Sequence, residues 1–504
     1  MANVEPDFIQ PDSSDYPELV WREINAQRPM GAEFANGIID FNFSIGGVNA
    51  MVPNMTYTDI KYTLTAKDYD DTSSLGKPTK LSVTTFAQDS CACLFNSSQF
   101  LVGGSLVSNV QSFHAQTDIM QKRLGLTGAQ LYSVASGASN MEPNFQKRCN
   151  QINLSSSNDS ELEVVPLADL RLAVAETNIS PAGLLSGINT VFTRLKVGDY
   201  IVINGSKYEL LTITSDTVAT IDYANSSSIS GAVCSHGLKR ANGEGNNVMS
   251  AVYVPPLGIF ASDELLGAGD YRLSFQPNSM YKKAFVESKI PNAVEGVDYD
   301  LVIDSFRLYV ATTKVRVPET SQKTLILKEC AVYSKKIDST QANLDFTIPA
   351  TTTMIAVSIQ GQDAGSNPIN SPTKFRSTAN TQDNLTSLQL TYAGLSKPST
   401  QWGSVYDEAT GVNRTQQRYM ETMLENQLAF SPGATEKFGD WHDSPYYAFS
   451  FNKDMNDRST QLQAQINLSA LADNCNLIVS CFYDNTINIT TEKGVVTQVR
   501  KLLS

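Results

Sequence analysis

Histidine, the side chain most often used as a general acid or base, is scarce in this chain of 504 residues. His114, His236 and His442 are the only three, and they lie far apart in the sequence. In Asp440-Trp441-His442-Asp443 two carboxylates flank the imidazole and would favour its protonated form. A surface loop with an ordinary histidine explains the same four residues equally well. We therefore assign no catalytic residue and predict that the chain is not an enzyme.

Seven cysteines and a group of aspartates offer metal ligands, but no complete set. Cys91-Ala92-Cys93 and Cys234-Ser235-His236 each supply two soft ligands, whereas a structural zinc site takes four. Asp68, Asp70 and Asp71 carry oxygen ligands for calcium, yet this segment lacks the glycine and the terminal glutamate of an EF-hand loop. An odd number of cysteines without a Cys-x-x-Cys pair favours reduced thiols. We predict no metal site and no cofactor.

Nucleotide and nucleic-acid binding lack their usual sequence signals. The chain has no Gly-x-x-x-x-Gly-Lys-Ser/Thr loop, no Gly-x-Gly-x-x-Gly turn, no Gly-x-Ser-x-Gly elbow and no His-Glu-x-x-His pair. Its formal net charge is −13, from 38 basic and 51 acidic residues. Proteins that hold nucleic acid concentrate positive charge to neutralise phosphates. We expect no direct sequence-specific binding of nucleic acid.

Signals for membrane insertion or secretion are also missing from the sequence. The chain contains no apolar run of about 18 residues, the length that a membrane-spanning helix needs. The opening Met-Ala-Asn-Val-Glu-Pro has neither the basic nor the apolar stretch of a signal peptide. We expect no transmembrane segment and synthesis without a secretory signal.

Alternation of apolar and polar residues, which predicts half-buried β-strands, recurs along the chain. It is clearest where Ile39, Phe41, Phe43 and Ile45 alternate with polar residues. Gly103-Gly104 between two apolar runs predicts a two-residue hairpin turn, because glycine accepts the positive φ that such turns require. Further strands are predicted at 60–65, 272–276, 299–317, 344–348, 388–392, 446–451, 461–468 and 476–489.

A few helices interrupt this pattern of strands. Apolar spacing near 3.6 predicts short helices at 118–126, 130–134 and 160–175, the last despite an internal proline. One amphipathic helix is predicted at about 414–428. We interpret its apolar stripe as a core-facing surface, formed by Tyr419, Met420, Met423, Leu424 and Leu428.

The length predicts two or three domains, because one core rarely serves so many residues. Residues 1–30, acidic and rich in proline, are predicted to be an extended arm, and such arms often tie neighbouring chains together. Residues 31–318 form the predicted first domain and residues 319–504 the second. Strands at 195–223, followed by a loop or linker at 225–248, indicate a small β-barrel inserted at about 195–248.

Two pairs of similar segments indicate that the halves of the chain are related β-domains. Residues 270–275 resemble 446–451, and residues 301–306 resemble 477–482. Both pairs have the same offset of 176 residues, which is the pattern that tandem copies of one domain would leave.

Four segments together resemble the double jelly-roll major capsid proteins of the polinton-like virus, virophage and adenovirus-hexon lineage. The resemblance covers nearly the whole chain outside 195–248. It is carried by Ile38-Ile39-Asp40-Phe41-Asn42-Phe43 after the proline-rich arm, by 94–110 with the helices that follow, by Pro255-Pro256-Leu257-Gly258-Ile259-Phe260 with Gly269-Asp270-Tyr271-Arg272-Leu273, and by 476–490.

This resemblance implies a mainly β protein with two tandem eight-stranded jelly-roll sandwiches, short helices in the loops and a small inserted β-subdomain. It implies a homotrimer with a pseudo-hexagonal outline, because two similar domains in three chains give six corners. The implied role is that of a structural protein in the icosahedral capsid of a double-stranded DNA virus. Neighbouring capsomers, penton proteins and minor capsid or cement proteins are the implied partners, and the virion is the implied location.

Two other classes of function fit parts of the sequence. An adhesive or carbohydrate-binding β-sandwich protein would also be rich in strands, aromatic residues and Asn-rich loops. A hydrolase on a β-scaffold would need paired carboxylates in a cleft, which spacing in the sequence does not reveal. We rank the capsid protein first, the adhesin or lectin second and the enzyme third.

Overall fold

The fold is described from a computed structural model of the chain. The described residues are 19–66, 84–125, 162–166, 176–181, 183–188, 192, 197, 200–203, 206–223, 228–239, 248–288, 299–314, 320–361, 372–376, 385–402, 406–407, 412–429, 436–451, 460–469 and 474–501.

Strands dominate the first three-fifths of the chain. They are β1 (Val20–Asn25), β2 (Ile39–Ile45), β3 (Asn49–Met51), β4 (Tyr57–Ala66), β5 (Thr84–Phe86), β6 (Phe95–Val102), β7 (Ser105–Val110), β8 (Leu162–Pro166), β9 (Glu176–Ile179), β10 (Leu184–Ile188), β11 (Tyr200–Ile203), β12 (Ser206–Ser215), β13 (Val218–Ile221), β14 (Ile229–Lys239), β15 (Val248–Tyr253), β16 (Gly269–Pro277), β17 (Val286–Ser288) and β18 (Tyr299–Lys314). Within the described residues, two helices lie among these strands, α1 (His114–Gly125) and α2 (Tyr281–Phe285). Short 3₁₀ turns occur at Gly31–Glu33, Pro53–Met55, Ser90–Leu94 and Gly258–Ala261.

The remainder of the chain is built in the same way. Its strands are β19 (Thr320–Ile337), β20 (Gln341–Thr347), β21 (Thr352–Gly361), β22 (Leu385–Tyr392), β23 (Leu395–Lys397), β24 (Tyr406–Asp407), β25 (Val412–Asn413), β26 (Tyr447–Ser450), β27 (Gln461–Leu468), β28 (Cys475–Glu492) and β29 (Val495–Lys501). Its helices are α3 (Thr415–Ala429) and α4 (Phe438–Asp443).

Each part forms a sandwich of two antiparallel sheets with one shared connectivity. In the first sandwich the sheets run β1-β18-β4-β15 and β2-β16-β6-β7, and in the second they run β19-β28-β21-β26 and β20-β27-β22-β23. Counting these eight strands in chain order, the first, eighth, third and sixth form one sheet in both sandwiches. The second, seventh, fourth and fifth form the other. This is the jelly-roll arrangement, so the prediction of two tandem eight-stranded jelly rolls is confirmed.

Local sequence explains why the strands form and how they face. In β2, Ile39, Phe41, Phe43 and Ile45 are buried and the residues between them are partly or fully exposed, as the alternation predicts. The β6–β7 hairpin turns at Gly103-Gly104, whose φ angles of 55° and 80° suit glycine.

Each sandwich has its own buried core. The first contains a group of aromatic rings in which Phe41 lies 4.9 Å from Phe306 and 6.3 Å from Phe275, between ring centres. The second contains buried strand residues such as Leu388 and Ile466, together with Trp441 of α4. A third, smaller core lies in the inserted strands and includes Leu185 and Ile201.

The inserted strands close into a small barrel, as the sequence predicts, but over a wider range. The ring runs β11-β12-β13-β10-β9-β14 and closes by pairing of β11 with β14, and β8 adds to β14. Its strands extend from Leu162 to Lys239, so the bounds of about 195–248 are wrong. The barrel lies between β7 and β15 of the first jelly roll.

Two predictions made for this region are wrong. Residues 162–166, placed in a helix over 160–175, form β8, because the β-branched Val164 and Val165 suit a strand and the backbone finds a partner in β14. Residues 229–239, placed in a loop over 225–248, form β14, because backbone hydrogen bonds to β9, β11 and β8 do not depend on its serine and glycine side chains. The predicted helix at 130–134 lies outside the described residues.

The prediction of an extended arm over residues 1–30 is wrong for Val20–Asn25. This segment is strand β1, which pairs with β18 from Val20↔Thr312 to Asn25↔Arg307. The segment lacks the apolar–polar alternation of a half-buried strand, because β1 lies at a sheet edge and the adjacent polar residues Arg22 and Glu23 both remain exposed to solvent. Residues 1–18 lie outside the described part.

One of the two pairs of similar segments is a true equivalence. Residues 301–306 and 477–482 both lie in the eighth strand of their jelly roll, β18 and β28. Residues 270–275 lie in a seventh strand, β16, whereas 446–451 contain the sixth strand, β26. Short apolar strands resemble one another easily, so the shared offset of the first pair is coincidental.

Helix α3 confirms the predicted helix at 414–428 but not the whole of its apolar stripe. Tyr419 is partly buried and Met423 is buried, whereas Met420 and Leu424 are 53% and 56% exposed. The helix instead places Arg418 and other polar side chains against the second jelly roll, and this turns Met420 and Leu424 outwards.

Truncating Phe41 to alanine should destabilise the first jelly roll by about 3–5 kcal/mol, because it leaves a cavity among close-packed rings. The measurement is urea denaturation of F41A and wild type. The control V48A changes a side chain that is 56% exposed and should stay within about 0.5 kcal/mol of wild type. An F41A variant as stable as V48A would contradict this description of the core.

Candidate functional site

The candidate functional site is the junction between the two jelly rolls. Strands β19 and β28, each 18 residues long, pair along their full length without a register shift. Leu325 and Ile487, at one end of the pair, are buried in the first core. Val332 and Val479, at the other end, are buried in the second core. The strand pair therefore belongs to both cores and fixes one sandwich beside the other.

A buried carboxyl marks the point at which this strand pair passes between the cores. Glu329 accepts hydrogen bonds from the hydroxyls of Ser108 on β7 and Tyr483 on β28, the latter over 3.0 Å. Asn485 donates its side-chain amide to the Val107 carbonyl over 3.1 Å. Burial raises the pKa of Glu329, although the hydrogen bonds from these partners oppose that shift.

Helix α1 reaches from the first jelly roll into the second. Ala115, near its start, packs in the first core, whereas Ile119, Met120 and Leu124 are buried in the second. The Gln116 amide also donates to the side-chain oxygen of Gln360 on β21, over 3.4 Å. The helix therefore lies within the sequence of the first jelly roll but packs against both.

The end of α1 is anchored in the second jelly roll by a buried ion pair. Arg123 lies 2.8 Å from Glu436, and both side chains are at most 3% exposed. The Arg123 guanidinium also stacks 4.7 Å from the ring centre of Tyr446. A buried charge without its partner is costly, so this pair admits one placement of α1 and disfavours others.

A second buried charge cluster fixes the other face of α1 to the first jelly roll. Lys122 Nζ lies 2.7 Å from Asp89 Oδ1 and 3.0 Å from Asp118 Oδ2. Burial, together with the nearby Asp89, raises the pKa of Asp118 to about 8. Burial opposes the charge of Lys122, but the two carboxyl groups prevail and raise its pKa. The Asp118 carboxyl therefore keeps its proton to a higher pH than an exposed carboxyl would.

The C-terminal strand β29 closes the junction from the second jelly roll back to the first. It forms a hairpin with the end of β28, and the Val496 amide donates to the Ala268 carbonyl over 2.7 Å. Val496 and Val499 pack against the first core. Long strands, a shared helix and this hairpin therefore join the two sandwiches at three places.

The residues considered for catalysis are dispersed over the fold. His114 lies in α1, where burial lowers its pKa to about 3, so the ring is neutral. Its Nδ1 donates to the Ala92 carbonyl over 3.2 Å, and its Nε2 accepts from the Ser98 hydroxyl over 3.1 Å. His442 lies half-buried on α4, with its ring centre 5.8 Å from that of Phe438. The side chain of His236 lies outside the described part.

The residues considered as metal ligands also lie apart. Cys91 and Cys93 are buried in a 3₁₀ turn of the first core and form no disulfide, and burial raises the pKa of the Cys91 thiol to about 12. The side chain of Cys234 and the residues Asp68, Asp70 and Asp71 lie outside the described part. Among the residues that the structure describes, no group of three or more His, Cys, Asp or Glu side chains could hold a metal ion. Likewise, no helix in the described ranges is long and apolar enough to cross a membrane.

The charged groups of the junction are the residues that sequence reasoning missed. Arg123 and Glu436 are 313 positions apart, and no local pattern joins them. One signal in the sequence could have pointed to these groups: Lys122 and Arg123 are adjacent within a predicted helix. Adjacent side chains on a helix point in different directions, so if both cations are buried, each needs its own acidic partner.

The fold and its junction define a double jelly-roll protein, in which two sandwiches of equal topology stand side by side. No protein-family model and no curated protein sequence matches the chain.

Solved structures match the chain over most of its length. A chain of the Sputnik virophage, known from cryo-EM, superimposes with a TM-score of 0.53 at 12% identity and covers 100% of this chain and 93% of its own. The Faustovirus major capsid protein gives 0.48 at 8% identity, covering 96% and 92%. The mavirus major capsid protein gives 0.39 at 11% identity, covering 98% and 93%. Together with the strand order of the two sandwiches, the match to the Sputnik chain confirms the resemblance in fold that the sequence predicted.

Replacing Arg123 with methionine should destabilise the protein by about 3–5 kcal/mol, because it leaves the Glu436 carboxylate buried without its partner. The double variant R123M/E436M should recover most of that loss, since apolar side chains of similar size need no partner. Chemical denaturation of the three proteins measures this. Equal losses in the single and double variants would contradict the proposed pairing.

Stability should fall as the pH rises from about 6.5 to 8, above the range in which the lowered pKa of His114 gives the opposite trend. A carboxyl whose folded-state pKa is raised stabilises the fold while protonated, and Asp118 loses that contribution as the pH approaches its pKa of about 8. The variant D118N cannot ionise, so its Tm should vary less over this range. The exposed Asp222 provides the control D222N, which should follow wild type. Parallel Tm profiles for D118N and wild type would contradict the assignment.

Proposed function

We propose that this chain is the major capsid protein of a double-stranded DNA virus, the unit that trimerises and assembles an icosahedral shell. The observation that carries the proposal is the rigid pairing of two jelly rolls of equal topology within one chain. Such a unit presents two similar corners, so three copies supply six. The likeness in fold to a chain of the Sputnik virophage supports the same conclusion.

We propose a first structural unit at 31–318 and a second at 319–504, with β1 added to the first. The sheets support this division, because β2 to β18 and β19 to β28 never share a sheet. The cores cross it where Leu325, Leu327, Ile487 and Ile489 enter the first core. The two units should therefore act as one body in assembly.

We propose that the role is structural and that the chain catalyses no reaction. The buried ionisable groups all lie in packing contacts between elements, so a structural role explains why they are present and no catalytic role is needed. They include the buried carboxyls, the Arg123–Glu436 pair and the neutral His114. The net charge of −13 is consistent with a shell protein that does not itself bind the genome, so that other components of the virion make that contact. Neighbouring capsomers, penton proteins and minor capsid or cement proteins are the proposed partners in the virion.

The purified chain should be a trimer in solution. Light scattering should give about 165 kDa for three chains of 55.0 kDa, and electron microscopy should show particles with a hexagonal outline. A stable monomer at micromolar concentration would contradict the proposal. It would instead favour an adhesive or carbohydrate-binding protein, which a glycan-binding screen would then examine.

A further inference from the structure

One lysine inside the first jelly roll lies in contact with two aspartates. Lys122 Nζ on α1 is 2.7 Å from Asp89 Oδ1 and 3.0 Å from Asp118 Oδ2. The Lys122 side chain is 14% exposed, and those of Asp89 and Asp118 are 0% and 3% exposed. Charged side chains are rarely buried to this degree, because their ionic forms are costly away from water. The cluster therefore holds an amine against a carboxyl group in a place that disfavours the ions of both.

The surroundings of this cluster are aromatic and closed to solvent. The rings of Phe95 and Tyr253, which are 2% and 0% exposed, stack with their centres 5.9 Å apart. Lys122 Nζ lies 5.4 Å from the centre of the Tyr253 ring. Burial raises the pKa of Tyr253 and also opposes the positive charge of Lys122. Such a site favours neutral products over an ion pair and excludes the water that would reverse a condensation.

The second carboxyl group supplies the cluster with an acid–base group. Burial raises the pKa of Asp118 to about 8, and the charge of Asp89 and a hydrogen bond between the two carboxyl groups add to that shift. Asp118 therefore holds a proton at neutral pH in contact with both Lys122 and Asp89. A group with a pKa near the working pH can give up a proton and take one back, as a proton carrier must.

We propose that Lys122 and Asp89 condense to an intramolecular isopeptide bond, an amide between Lys122 Nζ and Asp89 Cγ, with Asp118 as the proton carrier. Asp89 adjoins the 3₁₀ turn Ser90–Leu94 that leads into β6, so the bond joins this turn to α1. Asp89 is the closer of the two carboxyl groups. Asp118 lies four residues from Lys122 on the same helix, and a bond to it would join the helix only to itself.

The condensation balances without any further reactant. A proton passes from the Lys122 ammonium to the Asp89 carboxylate, which leaves a neutral amine beside a neutral carboxylic acid. The nitrogen lone pair forms the C–N bond, and the C–O bond breaks with its electron pair on the departing oxygen. Asp118 gives a proton to this hydroxyl group and takes one from the nitrogen. The products are one amide and one water molecule, with Asp118 in its original state.

The bond makes one attachment of α1 permanent. The residue next to Lys122 is Arg123, which pairs with Glu436 in the second jelly roll. A covalent link at Lys122 therefore fixes the helix that carries this second contact, and α1 cannot separate from the first jelly roll when the protein opens locally. The bond forms once in each chain and turns over no substrate. It is thus compatible with the structural role that we propose and does not depend on trimer formation.

Intact-mass spectrometry of the full-length protein tests for the bond. Wild type should be lighter than its sequence mass by one water molecule. The variant K122M lacks the amine and D118N lacks the proton carrier, so each should have its full sequence mass. Lys397 provides the control K397M, because it lies 3.3 Å from Glu425 but at a site where the two side chains are 30% and 26% exposed. K397M should lose one water molecule, as wild type does. Circular dichroism establishes that each variant is folded.

Peptide mapping of wild type locates the bond. Chymotrypsin cleaves after aromatic residues, and Phe95 and Phe113 lie between Asp89 and Lys122 in the sequence. The bond should therefore join two peptides that are separate in D118N, and fragmentation should place it at Lys122 and Asp89. This map requires only wild type, so it decides the question even where K122M does not fold.

Three outcomes would overturn parts of this proposal. A folded wild type with its full sequence mass and separate peptides would overturn the bond itself. A bond that joins Lys122 to Asp118 would overturn the assignment of Asp89. A folded D118N variant that still loses one water molecule would overturn the role of Asp118 as the proton carrier.

Discussion

The antiparallel pairing of β19 with β28 is the constraint on which the rest of the structure depends. Its 18 consecutive residue pairs run without a bulge from one core into the other. A strand pair of this length cannot bend freely at its middle, because each backbone group is held by its neighbour and by the sandwich that it enters. The two jelly rolls are therefore held as one rigid body and are not joined by a flexible linker.

The polar groups at the junction make this arrangement specific. Apolar packing of Met120 and Leu124 would tolerate small shifts of α1, whereas the buried charges of Lys122 and Arg123 would not, because each needs partners at hydrogen-bond distance. The helix is held to one sandwich by its Lys122 side and to the other by its Arg123 side. Adjacent residues on one turn thus determine the spacing of two domains.

The sequence was sufficient for the strands and for the pair of jelly rolls, but not for every element. The alternation of apolar and polar residues reveals β2, because one face of this strand is buried and the other is exposed to solvent. It does not reveal β14, whose stability comes from backbone pairing with three strands. Helical spacing located α3 but not its orientation, since Met420 and Leu424 have the same residue types as a core face. The Arg123–Glu436 pair depends on tertiary proximity, which no local pattern encodes.

The proposed function requires that one chain supply two similar corners of a six-cornered capsid unit. Single-particle cryo-EM of the purified protein measures this. We expect particles with three-fold symmetry in which six sandwich-shaped densities surround the axis, alternately bearing and lacking the inserted barrel. Particles that contain only two sandwiches, from a single copy, would contradict it.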